Sequence, residues 1–342
     1  MFNYISECLK IRKNNKSKFL WAARFLKKGR YFSNQTGTLW FPKRCEDIAL
    51  SENKHIIIQV AYENRNGSNR DKSIKDKLID RFYSQKVNSQ PTLFSGDVAM
   101  MSRLYNVGKV IDYFAKEMLS YFANDLQMRS VIEKRFVWRK LGYKVLPVKK
   151  IDEKNCFFTE DFIDKRDYPP EIGFDYIKDD ILRCHKFCGG EACRPYTPDE
   201  IDRKSEEMKK RAGAWTGVSA AIDYIRSDEY VKRICHGDLY RNNLLFDGKE
   251  FYYIDFELLS EHVFYFDVLN YIMCERLMFD NGSMLDNYFC GAYDEYLEKL
   301  FFANGCKYDP AMKKVYYFTV LYEYYREVFQ TDIPDKLLEA LK

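Results

Sequence analysis

The sequence predicts an α+β chain in two parts, a smaller one mainly of strands and a larger one mainly of helices, behind a basic N-terminal extension. Three observations carry that reading. From Pro91 to Phe162, short strand-like runs surround one segment of helical periodicity, Leu126 to Leu141. From Asp175 onward most apolar spacing is helical. Within that helical region Cys235 to Glu257, CHGDLYRNNLLFDGKEFYYIDFE, reads instead as a loop and a hairpin. A length of 342 residues suits about two ordinary domains or one two-part molecule with additions, and 46% apolar with 17% aromatic content is ample for a core.

The extension is placed at residues 1–90. Lys10 to Arg30 holds nine Lys or Arg and no acid, interleaved with Phe19, Leu20, Trp21, Phe25 and Leu26. On a helix Phe19, Ala22, Ala23 and Leu26 share one face, with Lys18, Arg24 and Lys28 around it. Two readings stay open: a basic amphipathic helix lying on an anionic membrane surface through residues 10–30, or an ordinary helix packed on the body of the protein under a solvated basic face. His55 to Tyr62 has strand character, and Asn64 to Lys77 is a polar loop.

In the strand-rich part, residues 91–161, Val98 to Tyr105 and Lys109 to Phe114 read as strands joined by Asn106-Val107-Gly108. Val145 to Val148 and Cys156 to Phe162 follow the helix as further strands. In residues 162–342, Asp175 to Phe187, Asp199 to Arg211 and Gly217 to Ile225 read as helices, and the chain is helical again after Asp267. The late aromatic stripe, Tyr316, Tyr317, Tyr322, Tyr324 and Tyr325 among others, reads first as core.

The chemistry concentrates in the hairpin segment. Leu244 to Phe246 forms one strand, Asp247-Gly248 is a strong turn dipeptide, and Phe251 to Ile254 returns. The turn brings Asp255 back beside Asn243, where a helix would separate them. Three oxygen-bearing side chains, Asp238, Asn243 and Asp255, can therefore converge as a magnesium nucleotide cradle. Phosphoryl transfer asks mainly for positioning and charge neutralisation, with one carboxylate to receive the acceptor hydroxyl's proton and others to hold Mg2+ against the phosphates.

His236-Gly237-Asp238-Leu239, Asn243 and Ile254-Asp255-Phe256-Glu257 together resemble the catalytic segment of aminoglycoside phosphotransferases and choline kinases, a branch of the protein-kinase-like fold. That resemblance implies a two-lobed enzyme that uses ATP and Mg2+. It implies Asp238 as catalytic base, His236 as the residue organising its loop, Asn243 and Asp255 as metal ligands, and Asp267 as a structural aspartate steadying the loop. Phe157 to Phe162 resembles the family's hinge, with backbone groups of Glu160 and Phe162 facing the adenine.

The smaller lobe departs from the pattern. Ser95-Gly96-Asp97-Val98 is the only glycine turn on offer above the phosphates, without repeated glycines. Lys109 is the candidate phosphate-contacting lysine and Glu133 its partner, with Lys116 and Glu117 as rivals.

Other readings are weaker. Cys184-His185, Cys188 and Cys193 have donor types for zinc, but the second knuckle is missing, and a helix ended by Gly189-Gly190 explains the same residues. Ten cysteines, mostly scattered singly, suit a reducing compartment. No apolar run is long enough to span a membrane, and the N-terminus lacks a secretion signal, so the expectation is a cytoplasmic protein, at most peripheral at the inner membrane face. A net charge of +4 is too slight to imply nucleic acid.

The favoured acceptor is a sugar of a bacterial surface polysaccharide or lipopolysaccharide, since IDFE followed by Phe264-Tyr265-Phe266-Asp267 resembles phosphotransferases of that kind. An aminoglycoside or choline-like acceptor is the alternative, with Glu275, Asp280, Asp286 and Asp294 as acids able to contact it. A nucleotide-binding scaffold without turnover is the competing class.

Overall fold

The computed structural model describes residues 19–20, 22–33, 39–42, 84–88, 91–101, 108–189, 192–211 and 215–341. The expected strand at 55–62, the loop at 64–77 and residues 10–18 of the basic segment lie outside the described residues. The chain divides into two compact units: residues 1–132, 146–166 and 246–250 form one, and residues 133–145, 167–245 and 251–342 the other.

The first unit is built on an eight-stranded antiparallel sheet. Its strands are β1 (Gly29–Ser33), β2 (Leu39–Pro42), β3 (Ser84–Val87), β4 (Val98–Met101), β5 (Gly108–Asp112), β6 (Glu117–Tyr121), β7 (Val148–Asp152) and β8 (Phe157–Asp161). The order is β3-β1-β2-β4-β5-β6-β8-β7. Three strands from before residue 90 thus extend the sheet. Helix α1 (Asp125–Lys140) follows β6, and its first half packs Met128 against Phe122 and Phe158.

The apolar face of the basic segment is part of this unit's core. Phe19, Ala22, Phe25 and Leu26 are buried with Val87, Ala99, Val110, Leu119, Tyr121 and Phe157. Leu26 pairs with Gly96 in a parallel bridge, and Lys27 reaches Asp97 at 2.8 Å. Of the two readings of residues 10–30, the described part follows packing on the protein body. The face expected to meet a membrane is covered, because burying those side chains against the sheet removes their apolar area from water within the fold.

The second unit is mainly helical: α2 (Pro170–Cys188), α3 (Pro198–Arg211), α4 (Val218–Ile225), α5 (Phe266–Met278), α6 (Ser283–Cys290), α7 (Asp294–Ala303), α8 (Lys313–Tyr322) and α9 (Asp335–Leu338). Helix α2 starts earlier than its apolar spacing predicts, at Pro170, whose ring is suited to a first turn and whose missing N–H costs nothing there. A short sheet, ordered β13-β10-β9, lies among the helices; it comprises β9 (Arg194–Pro195), β10 (Val231–Cys235) and β13 (Ser260–Val263). Strands β11 (Leu244–Phe246) and β12 (Phe251–Tyr253) form the expected hairpin. Asp247 Oδ1 caps its turn by accepting from the Lys249 and Glu250 amides at 2.8 Å each. Past α8 the helix widens into a π-helical turn, Glu323–Val328. Such turns gather at functional sites.

Candidate active site

Strand β10 ends at Cys235, and His236-Gly237-Asp238 turn away from the sheet. One carboxylate clamps their backbone. Asp267, buried in the first turn of α5, accepts from the His236 amide at 2.7 Å and the Gly237 amide at 3.1 Å. Asn270, farther along the same helix, donates to the Leu239 carbonyl at 3.1 Å. Gly237 has φ +81°, and a Cβ there would lie 2.3 Å from the Leu258 carbonyl oxygen, so conformation and space both demand glycine.

The His236 ring is fully buried, and its Nε2 pairs with the Ile254 carbonyl at 2.8 Å. Burial lowers its pKa below the ordinary value, against the nearby Asp267 charge. A neutral imidazole donating to a backbone carbonyl braces the loop against the hairpin. Trp138 and Phe256 flank the ring.

Asp238 is held from two sides. The Asn243 amide nitrogen donates to its carbonyl at 2.8 Å and to its Oδ2 at 3.0 Å. The Tyr324 hydroxyl donates to its Oδ1 at 3.2 Å. Burial pushes the Asp238 carboxyl up to about 6, the hydrogen bonds from Tyr324 and Asn243 oppose this, and the charges of Asp255 and Asp267 add to it. A carboxylate poised near neutrality suits a general base.

The amide nitrogen of Asn243 being committed to Asp238, its Oδ1 is the atom suited to a ligand. The Ile254 amide donates to the Asn243 carbonyl at 3.1 Å, which ties the hairpin's return to that residue. The next residue, Asp255, adopts a left-handed backbone at φ 60° and ψ 63° and is exposed. A non-glycine residue there costs about 1–3 kcal/mol, a strain found mostly where a side chain must be aimed. An Asp255 carboxylate and an Asn243 amide oxygen form a hard, oxygen-only donor pair that fits Mg2+, which usually keeps several waters besides.

The candidates from the strand-rich region sit in the sheet unit, apart from Glu133. Lys109 lies on β5, opposite Met100 and Ser120. Glu133 is exposed on α1 and belongs to the helical unit. Its neighbour Lys134 donates to the Glu257 carbonyl, and Arg135 lies over the Phe256 ring at 5.9 Å. The rival Lys116 is paired with Asp164 and lies 3.9 Å from the Tyr113 ring centroid.

Two expectations there need correction. Gly96 spends its amide on Phe25 at 2.8 Å and its carbonyl on Lys27 at 2.9 Å, and a Cβ on it would meet Val110 at 2.2 Å. It is a close-packing glycine of the sheet, not the tip of a phosphate loop. The Phe162 amide donates to the Lys116 carbonyl at 2.9 Å, so that donor is spent and does not face an adenine. Glu160 is buried in β8, its backbone laddered between Met118 and Val148.

The cysteine cluster belongs to helix packing. His185 Nδ1 meets the Asn304 amide at 2.9 Å, Cys184 is buried, and Cys193 Sγ lies 3.1 Å from Asn304 Oδ1. Three of the four acids suggested for the acceptor are occupied: Glu275 by Arg241, Asp280 by Lys336 and Asp294 by Lys313. Asp286 is exposed on α6.

Sequence reasoning missed Tyr324, which lies 86 positions from the aspartate it bonds. It missed Arg241 as well, whose guanidinium grips the fully buried Glu275 through two nitrogens and fixes the turn before Asn243. An arginine beside the asparagine was the available signal.

Residues 191–302 match the model of the phosphotransferase enzyme family, a span that contains Asp238, Asn243, Asp255 and Asp267. No curated protein matches the chain. Among solved structures, a protein of Ralstonia eutropha assigned as an aminoglycoside phosphotransferase is similar at 16% identity, over 71% of this chain and 86% of that one, with a TM-score of 0.45. Choline kinase LicA of Streptococcus pneumoniae is similar at 14% identity, over 70% and 89%, with a TM-score of 0.39. Aminoglycoside phosphotransferase APH(3'')-Id of Streptomyces rimosus is similar at 13% identity, over 62% and 87%, with a TM-score of 0.38.

Proposed function

We propose that this chain, whose residues 191–302 match the phosphotransferase enzyme family, transfers the γ-phosphoryl group of ATP, with Mg2+, to a hydroxyl of a small molecule or glycan. The acceptor we favour is a sugar of the kind found in bacterial surface polysaccharide or lipopolysaccharide. The observation that carries the reading is the Asp238–Asn243 contact, at 2.8 and 3.0 Å, next to a hairpin whose return is tied to Asn243 and ends in the strained Asp255. In this reading Asp238 accepts the proton of the attacking hydroxyl. Asn243 Oδ1 and Asp255 hold the metal, which neutralises phosphate charge when bound. Asp267 and His236 keep the loop in place. Lys109 is the proposed phosphate-contacting lysine of the strand-rich region.

The test is turnover of ATP with Mg2+ by the full chain. Asp238→Ala is expected to lower turnover by about a thousandfold or more while nucleotide affinity stays within a factor of about three, since a base acts in the transition state. Wild-type activity should rise with pH through about 6 as the carboxyl loses its proton. Unchanged turnover in Asp238→Ala would remove the aspartate from the chemistry. A nucleotide-binding scaffold is the second reading, favoured by Gly96 having a packing role; nucleotide uptake without consumption by the wild type would select it.

A further inference from the structure

We infer that Tyr324 is a positioning residue for the proposed reaction: through the bond from its hydroxyl to Asp238 Oδ1, at 3.2 Å, it aims the carboxylate and supports its charge while the acceptor hydroxyl gives up its proton. The inference rests on the phosphotransferase reading and adds to it a residue that acts through the base. It gives a role to a side chain 86 positions from Asp238, delivered by the π-helical turn Glu323–Val328.

A carboxylate offers roughly two acceptor sites on each oxygen. The Asn243 amide takes one at Oδ2, at 3.0 Å, and the Tyr324 hydroxyl takes one at Oδ1. One donor on each oxygen resists rotation of the carboxylate about its Cβ–Cγ bond and leaves a site on each for an incoming hydroxyl. Asn243 lies five residues from Asp238 and belongs to the same loop, whereas Tyr324 ties the carboxylate to a separate element. Among the described residues no Lys or Arg pairs with Asp238, so these two hydrogen bonds stand where a cation would. Burial disfavours the charged carboxylate most, and the Tyr324 bond is the largest influence opposing it, ahead of the bond from Asn243.

Tyr324 is built to donate and not to carry a proton away. Its side chain is buried, and burial, with Cys274 and Asp238 adding to it, pushes its pKa well above the ordinary value, so the phenol keeps its proton across the neutral range. Cys274, buried on α5, is held protonated by the same main cause and is no competing base. The Tyr324 ring is packed against Phe329, with centroids 4.7 Å apart, and against Tyr325 at 5.2 Å. Tyr325 supplies a comparison within the same turn. Its hydroxyl is buried too and meets no hydrogen-bond partner among the described residues, so of two adjacent tyrosines only Tyr324 acts on the base.

The test uses the full chain, MgATP turnover with water as the acceptor, and a carboxyl-carbon nuclear magnetic resonance titration of Asp238, its signal assigned by loss in Asp238→Asn. Tyr324→Phe keeps the ring and removes only the donor. The wild-type carboxyl should titrate at about 6, and in Tyr324→Phe it should move upward by about one unit, because the charged form has lost a hydrogen bond. The acid limb of kcat/KM should move with it. At about pH 8, above both titrations, kcat should still be about tenfold lower while KM for MgATP stays within a factor of about three, the mark of a misaimed base. Tyr325→Phe should leave the titration and both rate constants as in the wild type. An Asp238 titration unmoved by Tyr324→Phe overturns the inference whether or not ATP is consumed, and so does a moved titration with kcat unchanged, or an equal effect from Tyr325→Phe. A wild type that consumes no ATP counts against the phosphotransferase reading and removes the catalytic role, a result the titration keeps distinct from loss of the Tyr324 bond.

Discussion

At Gly237 a hydrogen atom is the only side chain the backbone admits. The left-handed φ of +81° costs an L-residue about 1–2 kcal/mol, and a methyl group would also press on the Leu258 carbonyl oxygen. Gly237→Ala is therefore expected to lower stability by about 2 kcal/mol or more and to displace Asp238. Urea unfolding measures the first effect, and stability equal to the wild type would refute it. The arrangement around this glycine was legible because its pattern lies within about thirty positions: a loop carboxylate, an asparagine five residues on that bonds it, and a hairpin that follows. Tyr324 had no such local sign. It reaches Asp238 through the path of the helices, and in the sequence it is one tyrosine among many.

The element that delivers Tyr324 is the π-helical turn, and its anchor is Glu323. This fully buried carboxylate accepts from the Tyr196 and Tyr230 hydroxyls, from Lys204 at 2.9 Å and from the Val263 amide at 3.2 Å. Burial alone would raise its pKa, but the Lys204 charge, His262 and the hydrogen bond from Tyr196 outweigh it and hold it below the ordinary 4.5. A carboxylate depressed on folding contributes stability above its unfolded pKa, and that contribution is lost as pH falls below 4.5 toward the folded value. Glu323→Gln should accordingly flatten the acid side of the stability profile, read by urea unfolding from neutral to acid pH; an unaltered slope would rule the carboxylate out as its source. Lys204→Met, which leaves the carboxylate buried without its amine, should cost about 3–5 kcal/mol at neutral pH. Helical character after Asp267 followed from apolar spacing, but the helix boundaries and the widening past Tyr322 did not, because a π turn carries the same residue types as an α turn.

Across the whole molecule, the basic segment shows what composition leaves to the fold. Nine Lys or Arg around an apolar stripe favour a packed helix with a solvated basic face, and admit a membrane-surface helix as the alternative. The side chains that would have met lipid lie instead against a sheet whose strands come from as far along the chain as Phe157. Phe25 packs against Tyr121 and Phe157, each with ring centroids 5.6 Å away. Phe25→Ala should therefore cost about 3–5 kcal/mol in global unfolding, whereas a side chain reserved for a membrane would cost almost nothing in solution.

The α+β composition, the order of most elements, the Asp238–Asn243 contact and the hairpin after it could be read from the residues alone, because turn chemistry, side-chain spacing and donor type act over short stretches of chain. Gly96 as a packing residue, the Phe162 amide spent within the sheet, the occupied acids Glu275, Asp280 and Asp294, and the Tyr324 bond to Asp238 emerged only from the folded chain. Each depends on which distant groups become neighbours, and hydrogen-bond capacity is assigned only once those neighbours have met.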